Sequence, residues 1–312
     1  MFLVMMHPAV SAASFDGPLQ IKNQYPIFLH ADQQYLEKAA LENSMSYSLS
    51  HSSTYTVQES GTWLMHLDME ITEMNFRYKR IIKDLVELDV DIPVLFISGG
   101  FMDGFLETYH NAFGFPDYGR PDRPNNEMLY EVRRDGALIV KGESGASIGD
   151  IRFSIKKPLV SSEGLALSIK GDVEIPVGSA EKGYSNGSLD AGISILLDKA
   201  ITGKIMTYWN FGAVFPGDVK GHETLAIKNY LHGGVAVEAA VKNDLHLLLQ
   251  VQGHSSIYPE TDLLAVDRDM YMFTVGGRYG TGRRSFDLSL TEDISTSGSP
   301  DFILNLTYKL HI

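Results

Sequence analysis

The stretch that decides the fold is the last one: Phe302-Ile303-Leu304-Asn305-Leu306-Thr307-Tyr308-Lys309-Leu310-His311-Ile312. Even numbers carry Phe, Leu, Leu, Tyr, Leu and Ile; odd numbers carry Ile, Asn, Thr, Lys and His. A period of two places alternate side chains on opposite faces of a strand. An apolar face backed by a mostly polar one is what a membrane-spanning β-barrel strand needs, with lipid on one side and a wet or polar interior on the other.

Working outward, the same pattern recurs. Trp63, Met65, Leu67, Met69 and Ile71 alternate with Leu64, His66, Asp68 and Glu70. Phe153 and Ile155 alternate with Arg152, Ser154 and Lys156; Leu165, Leu167 and Ile169 alternate with Ala166, Ser168 and Lys170. Leu245, Leu247 and Leu249 alternate with His246 and Gln250; Phe286 and Leu288 alternate with Asp287 and Ser289. A soluble sandwich also alternates, so strand length and connection length decide. The segments are long, near the ~9–11 residues of a tilted spanning strand rather than the ~5–6 of a soluble one. Twelve strands are expected, at 45–54, 62–78, 85–97, 148–157, 164–175, 189–198, 203–214, 232–241, 244–254, 270–279, 284–291 and 301–312. Most odd-to-even connections are long and the even-to-odd ones short, the pattern of extracellular loops and periplasmic turns. Tyr271 and Tyr279, and Phe302 and Tyr308, fall where interfacial aromatic girdles belong. Within 62–78 the apolar parity changes from odd to even after Ile71, which a β-bulge near Thr72–Glu73 would explain. Pro93 sits in strand 85–97, where a paired strand tolerates it poorly.

Composition agrees with an all-β transmembrane antiparallel barrel. The chain has 312 residues, 21% of them charged, no Cys, and a formal net charge of −13; mean hydropathy is −0.06. No apolar run of ~18 residues exists, which excludes a helical membrane protein but not a barrel. The negative charge and the lack of a basic, aromatic-interleaved cluster exclude general nucleic-acid binding.

Residues 1–12 read as the tail of a secretory signal peptide, with small residues at Val10, Ser11 and Ala12. Residues 13–43 form an arm with Leu19, Ile21, Tyr25, Ile27, Phe28 and Leu29, more apolar surface than a free tail exposes. The arm is expected to enter the barrel of residues 44–312 as a partial plug, with Asn23 and Gln24 as polar groups facing a cargo. The insert 98–147 carries Phe101, Phe105, Tyr109 and Phe113 at four-residue spacing, an amphipathic helix. Gly114 and Pro116 end it. A hairpin follows, turning at Asp135-Gly136. The helix is expected to cap or border the extracellular mouth, its aromatic stripe buried against the barrel rim, the lumen or the lipid interface, with Phe101, Phe105, Tyr109 and Phe113 as gate or plug candidates.

Thirteen side chains are expected to face the lumen: His66, Asp68, Glu70, Arg152, Lys156, Lys170, Asp172, Glu174, His246, Gln250, Arg278, Asp287 and Lys309. Their mixed signs suit a solute path or an ion-paired interior. Catalytic motifs fail. Gly142-Glu143-Ser144-Gly145 is followed by Ala146, so G-x-S-x-G is incomplete. His232-Gly233-Gly234 is explained by small residues at the top of a strand, and Gly253-His254-Ser255-Ser256 places His beside Ser at a strand end without a Ser–His–Asn constellation at strand spacing. The ten His show no metal-ligand spacing. No catalytic residue, metal or cofactor is expected.

Several stretches resemble a family of outer-membrane proteins of Gram-negative bacteria defined only by a domain of unknown function. They are GPLQIKNQYPIF from Gly17, FMDGFLETYHNAFGFPDYGR from Phe101, YEVRRDG from Tyr130, KGYSNGSLDAGISILLDK from Lys182 and LTEDISTSGSPDF from Leu290. More loosely, IPVGSAEKGYSNGSLD from Ile175 is similar to a signature of outer-membrane barrels linked to phenol-degradation pathways. The first resemblance implies the barrel and its location and no activity; the second points toward small apolar cargo. The expected function is a channel or diffusion transporter for small, hydrophobic molecules. A structural or partner-binding barrel and, less well supported, an outer-membrane enzyme are the alternatives. The implied partners are outer-membrane lipid and the barrel assembly machinery.

Overall fold

The computed structural model describes residues 15–26, 31–114, 119–120, 123–295 and 297–312. In chain order its strands are β1 (Ser44–Glu59), β2 (Trp63–Ile82), β3 (Val86–Ser98), β4 (Leu129–Arg134), β5 (Ala137–Lys141), β6 (Gly145–Ile148), β7 (Ile151–Ser162), β8 (Leu165–Ile175) and β9 (Asp190–Thr202). Then come β10 (Ile205–Phe215), β11 (Val219–Lys220), β12 (Thr224–Leu225), β13 (Tyr230–Ala240), β14 (Leu245–His254), β15 (Met270–Thr281), β16 (Arg284–Asp293) and β17 (Phe302–His311). Two helices, α1 (Asp103–Phe113) and α2 (Leu264–Asp267), lie in connections.

Twelve of these strands make one antiparallel wall, β1-β2-β3-β7-β8-β9-β10-β13-β14-β15-β16-β17. β17 closes it on β1, from Ser44 opposite His311 to Ser53 opposite Phe302. Closure leaves no free edge, the condition for carrying strands through lipid. The parity read in β17 is the parity found. Leu304 and Leu306 are exposed on the outer face, while Asn305, Thr307 and Lys309 are buried inside. Among the described residues, no helix is long and apolar enough to cross a membrane.

β2 departs from expectation. It has no bulge: its register is unbroken against β1 from Glu59–Leu64 to Ser44–Lys79, and against β3 from Glu70–Ser98 to Ile82–Val86. Odd-numbered residues face inward along all of β2. What changes is the interior. Glu73, Asn75, Arg77 and Lys79 meet polar groups of the arm. Met65, Leu67, Met69 and Ile71 join an apolar core with Tyr25, Trp63, Tyr130, Tyr258 and the loops. The cause is length. Twenty residues rise roughly 65 Å at about 3.3 Å per residue, well past a ~30 Å hydrocarbon layer even when tilted. Above the membrane the outer face meets water and loops, so it turns polar, and the inner face packs under the loops, so it turns apolar.

The hairpin β4–β5 pairs with this projecting part of β2, Trp63 opposite Arg134 through Asp68 opposite Leu129. Pro93 sits where β3 changes neighbours: β7 pairs with residues 87–91 and β6 with 94–97. A residue without an N–H costs least at such a break.

Candidate functional site

The described part of the arm lies inside the barrel and forms no strand. Its first limb, Phe15 to Pro26, rises from the turn end, and its second, Ala31 to Asn43, returns there to start β1. Near the turn end, Lys309 Nζ reaches Asp16 O at 3.1 Å and the Ser285 hydroxyl donates to Asp16 Oδ2 at 3.0 Å. The Gly17 amide donates to Tyr208 Oη at 3.1 Å and to Glu238 Oε2 at 3.2 Å. Arg278 ties the limb to the wall, donating to Gly17 O, Glu238 Oε1 and Asp287 Oδ2 at 2.8, 3.0 and 2.7 Å. The Leu19 amide donates to Gln250 Oε1, and Leu19 and Ile21 pack on Leu248. Tyr25 reaches the loop end, its hydroxyl donating to Thr56 Oγ1 at 2.9 Å.

The descending limb is held by charge. Arg152 bonds Asp32 and Glu174, and the Asp32 amide donates to Glu174 Oε2 at 3.1 Å. Glu37 sits among three cations: Lys170 Nζ at 2.7 Å from Oε1, Arg77 Nη2 at 2.9 Å and Lys79 Nζ at 3.0 Å from Oε2. Asp198 accepts the Ala39 and Ala40 amides, and Lys156 donates to the Lys38 and Ala40 carbonyls. These groups are nearly water-free, so each charge needs a partner. The wall supplies partners of its own: Arg77 with Asp89, Lys156 with Glu87, Lys170 with Asp172.

Ten of the thirteen expected lumen residues therefore lie inside: Arg152, Lys156, Lys170, Asp172, Glu174, His246, Gln250, Arg278, Asp287 and Lys309. His66, Asp68 and Glu70 do not. They are on the even, outward face of β2, above the lipid-facing band that begins near Met74, itself 52% exposed. His66 pairs with Glu59 and Asp68 with Arg123. Glu70 is 1% exposed because the insert folds over it. Its Oε1 accepts the amides of Phe101 and Met102 at 2.9 and 2.5 Å, and its Oε2 meets His51 Nε2 at 2.8 Å. Gly100 makes this possible, with φ of +75° and no room for a Cβ beside the Glu70 carboxylate. Glu70→Ala should therefore free the insert while sparing the wall: limited proteolysis between 99 and 126 should accelerate, with heat-modifiability of the barrel unchanged. Unaltered cleavage would show that Glu70 does not hold the insert.

The sequence missed Glu37, Arg77, Lys79, Tyr208 and Glu238. Arg77 and Lys79 were legible once β2 is counted from its polar half. Glu238 follows Gly234 and Ala236 on the inner face of β13, where small residues give no alternation signal.

Phe101, Phe105 and Tyr109 border the loop end of the barrel from outside. α1 lies against the outside of the wall at its loop end: Met102 and Leu106 cluster with Phe302, an outward-facing residue of β17. Phe105 and Tyr109 rings approach Phe302 edge-on at 6.3 and 6.5 Å. Phe101 stacks on His51 at 5.0 Å. The side chain of Phe113 lies outside the described residues, as do residues 1–12 with the signal-peptide assignment, and Ile27, Phe28 and Leu29. Arg120 pins the insert by bonding Asp103 and Asp301. Asn23 and Gln24 are buried, and the Asn23 amide is committed, donating to Gly298 O at 2.6 Å, meeting His254 Nε2 at 3.1 Å and accepting the Tyr25 amide. It is not turned toward a solute.

The loop 176–189 is fixed by Asp150, whose carboxylate accepts the Val177 amide at 2.9 Å and the Ser185 hydroxyl at 2.8 Å. Burial pushes this carboxyl above its ordinary pKa, and those hydrogen bonds offset only part of the shift. Among the described residues, Asp16, Glu42 and His311 bring three ligand-type atoms together at the turn end. Lys38 and Lys309 already pair with both carboxylates, so lysine supplies the positive charge there.

A closed twelve-stranded wall around a charged, arm-filled lumen defines a transmembrane β-barrel of the outer-membrane type. The chain belongs to a family described as proteins of unknown function (DUF3187), whose profile matches residues 1–312. A search of the curated proteins found no match. Among solved structures, the chain is similar to the COG4313 outer membrane channel from Pseudomonas putida F1, at 12% identity and a TM-score of 0.58, over 91% of this chain and 100% of that one. It is also similar to the NanC porin, at 6% identity and a TM-score of 0.51, over 86% of this chain and 100% of that one. These likenesses establish the fold.

Proposed function

We propose that the protein is an outer-membrane channel for small apolar molecules, with its N-terminal arm as the gate. The observation that carries this reading is that the arm fills the lumen without being part of the wall. β17 pairs directly with β1, so the barrel closes whether or not the arm is inside, and up to Asn43, whose carbonyl accepts the Ile312 amide at the foot of β1, the described arm forms no strand. Twelve strands enclose more space than the ~8 whose interior side chains alone can fill, so a removable plug leaves a path. The two similar structures are an outer membrane channel and a porin, which supports transport as the class. At the loop end Tyr25 of the arm packs into an apolar core with Trp63, Met65, Tyr130 and Tyr258; withdrawal of the arm would leave apolar surface there, which supports an apolar cargo.

The absence of Cys makes the test clean. Cysteines at Leu19 and Leu248, which pack together, can be joined by oxidation or a short bifunctional thiol reagent. Solute uptake into proteoliposomes should stop when the pair is joined and return on reduction. Equal uptake in both states would remove the arm as a gate. The buried ion pairs around Glu37 favour a second reading, a structural barrel whose arm never leaves; that reading expects no uptake in either state.

A further inference from the structure

We infer that the outer surface holds a binding groove for one acyl chain of a membrane lipid, formed between α1 and the wall. The groove has a volume of about 600 Å³. One side is Phe101, Phe105 and Tyr109 of the insert; the other is Phe273, Val275 and Leu304 of the wall. The lining is almost wholly apolar, and the wall residues stand on the same outer faces as the lipid-exposed rows of β15, β16 and β17. Val275 is opposite Leu290, and Leu290 is opposite Leu304. The groove is thus a continuation of the lipid-facing band, open to hydrocarbon along its length.

Its other end is polar. Glu292, on β16 and half-buried, takes a hydrogen bond from Tyr109. That pair makes the loop end of the groove its polar end, so a bound acyl chain runs toward the membrane from a headgroup at the loop end. Phe101 and Phe105 are 74% and 54% exposed. Aromatic surface of this extent on a loop helix needs an apolar partner, and the adjoining phase is lipid. The helix itself is held by Arg120, through Asp103 and Asp301, and by Glu70, through the Phe101 and Met102 amides; neither Arg120 nor Glu70 lines the groove, so the helix is anchored whether or not the groove is filled.

The test is lipid retention. Full-length protein is extracted in mild detergent, exchanged exhaustively, and its bound lipid counted by native mass spectrometry and by solvent extraction. The expected result is one tightly held lipid per chain, lost in Val275→Trp/Leu304→Trp, which fills the groove, and in Phe105→Ser, which opens it from the helix side and leaves the wall untouched. Leu247→Trp, on an exposed outer position of β14, should retain lipid as the unmodified chain does. Adding phosphatidylethanolamine to stripped protein should raise the melting temperature of the unmodified chain and of Leu247→Trp, and leave Phe105→Ser unmoved. No retained lipid in the unmodified chain, equal retention in all variants, or a dimer that dissociates in Phe105→Ser would each overturn the proposal, the last by showing that a second copy covers the groove.

Discussion

Removing residues 13–43 while keeping the signal segment should convert a silent barrel into an open one. In planar bilayers the complete chain should show no sustained openings, and the shortened chain should show steady steps of conductance. The argument rests on what the wall keeps when the arm leaves. Arg77 keeps Asp89, Arg152 keeps Glu174, Lys156 keeps Glu87, Lys170 keeps Asp172, and Arg278 keeps Asp287 and Glu238. Five of the principal lumen cations therefore stay paired, and water can enter to solvate the rest. Lys309 loses both of its ion-pair partners, Asp16 and Glu42, and His311 loses Asp16; both lie at the turn end, where solvent takes over. The wall ladders are untouched, so the shortened chain should still migrate as a folded, heat-modifiable barrel.

A milder variant bears on the same point. Glu37→Gln removes one charge from the middle of three cations, and losing one partner of a buried pair costs about 3–5 kcal/mol. The arm keeps its other anchors at Asp16, Asp32 and Ala39. Brief openings and a lower unfolding temperature are therefore expected, short of the steady current of the deletion. A deletion that unfolds, together with a Glu37→Gln chain that stays silent, would point to the structural reading. A folded but silent deletion would place the block in what remains of the loop core, around Trp63, Tyr130 and Tyr258.

Most of the wall was legible because lipid imposes a simple demand. Each spanning segment must show one apolar face, and β8, β14, β16 and β17 do so through their middle, as β7 does from Ile151 to Ile155 before its register shifts at Pro158. The burial of the arm was also legible, from apolar groups that a free tail does not expose. Two features were not, and for the same reason. Periodicity tells that a face is covered; it does not tell by what. On β2 one face is covered by the polar arm below and by apolar loops above, so a single unbroken register reads as a bulge, and His66, Asp68 and Glu70 come out on the wrong side. On α1 the aromatic stripe announces contact with apolar surface but does not choose among rim, lumen and lipid interface; the surface is the outer wall beside Phe302. The charges that hold the arm stayed hidden because Glu37 lies in an irregular segment, where no period assigns it a direction.

Leu306→Arg should abolish assembly, and no change to the arm should restore it. Leu306 stands in a row with Leu49 of β1 and Leu288 of β16, all three well exposed on the outer face. A cation there meets hydrocarbon with no partner, at about 2–4 kcal/mol near the midplane. The cost falls on β17, the strand that closes the wall. Thr307→Arg is the instructive comparison. Lumen positions usually tolerate polar substitution, yet Thr307 is 1% exposed and accepts a hydrogen bond from Asn305, two residues from the lysine that binds Asp16. In the complete chain the new side chain competes with the arm for space and should lower stability. In the chain lacking residues 13–43 it points into water and should assemble normally. Leu306→Arg should fail in both backgrounds, because lipid remains where it was. If the shortened chain rescues neither substitution, the space beside Thr307 is not set by the arm; if it rescues both, the outward assignment of Leu306 is wrong.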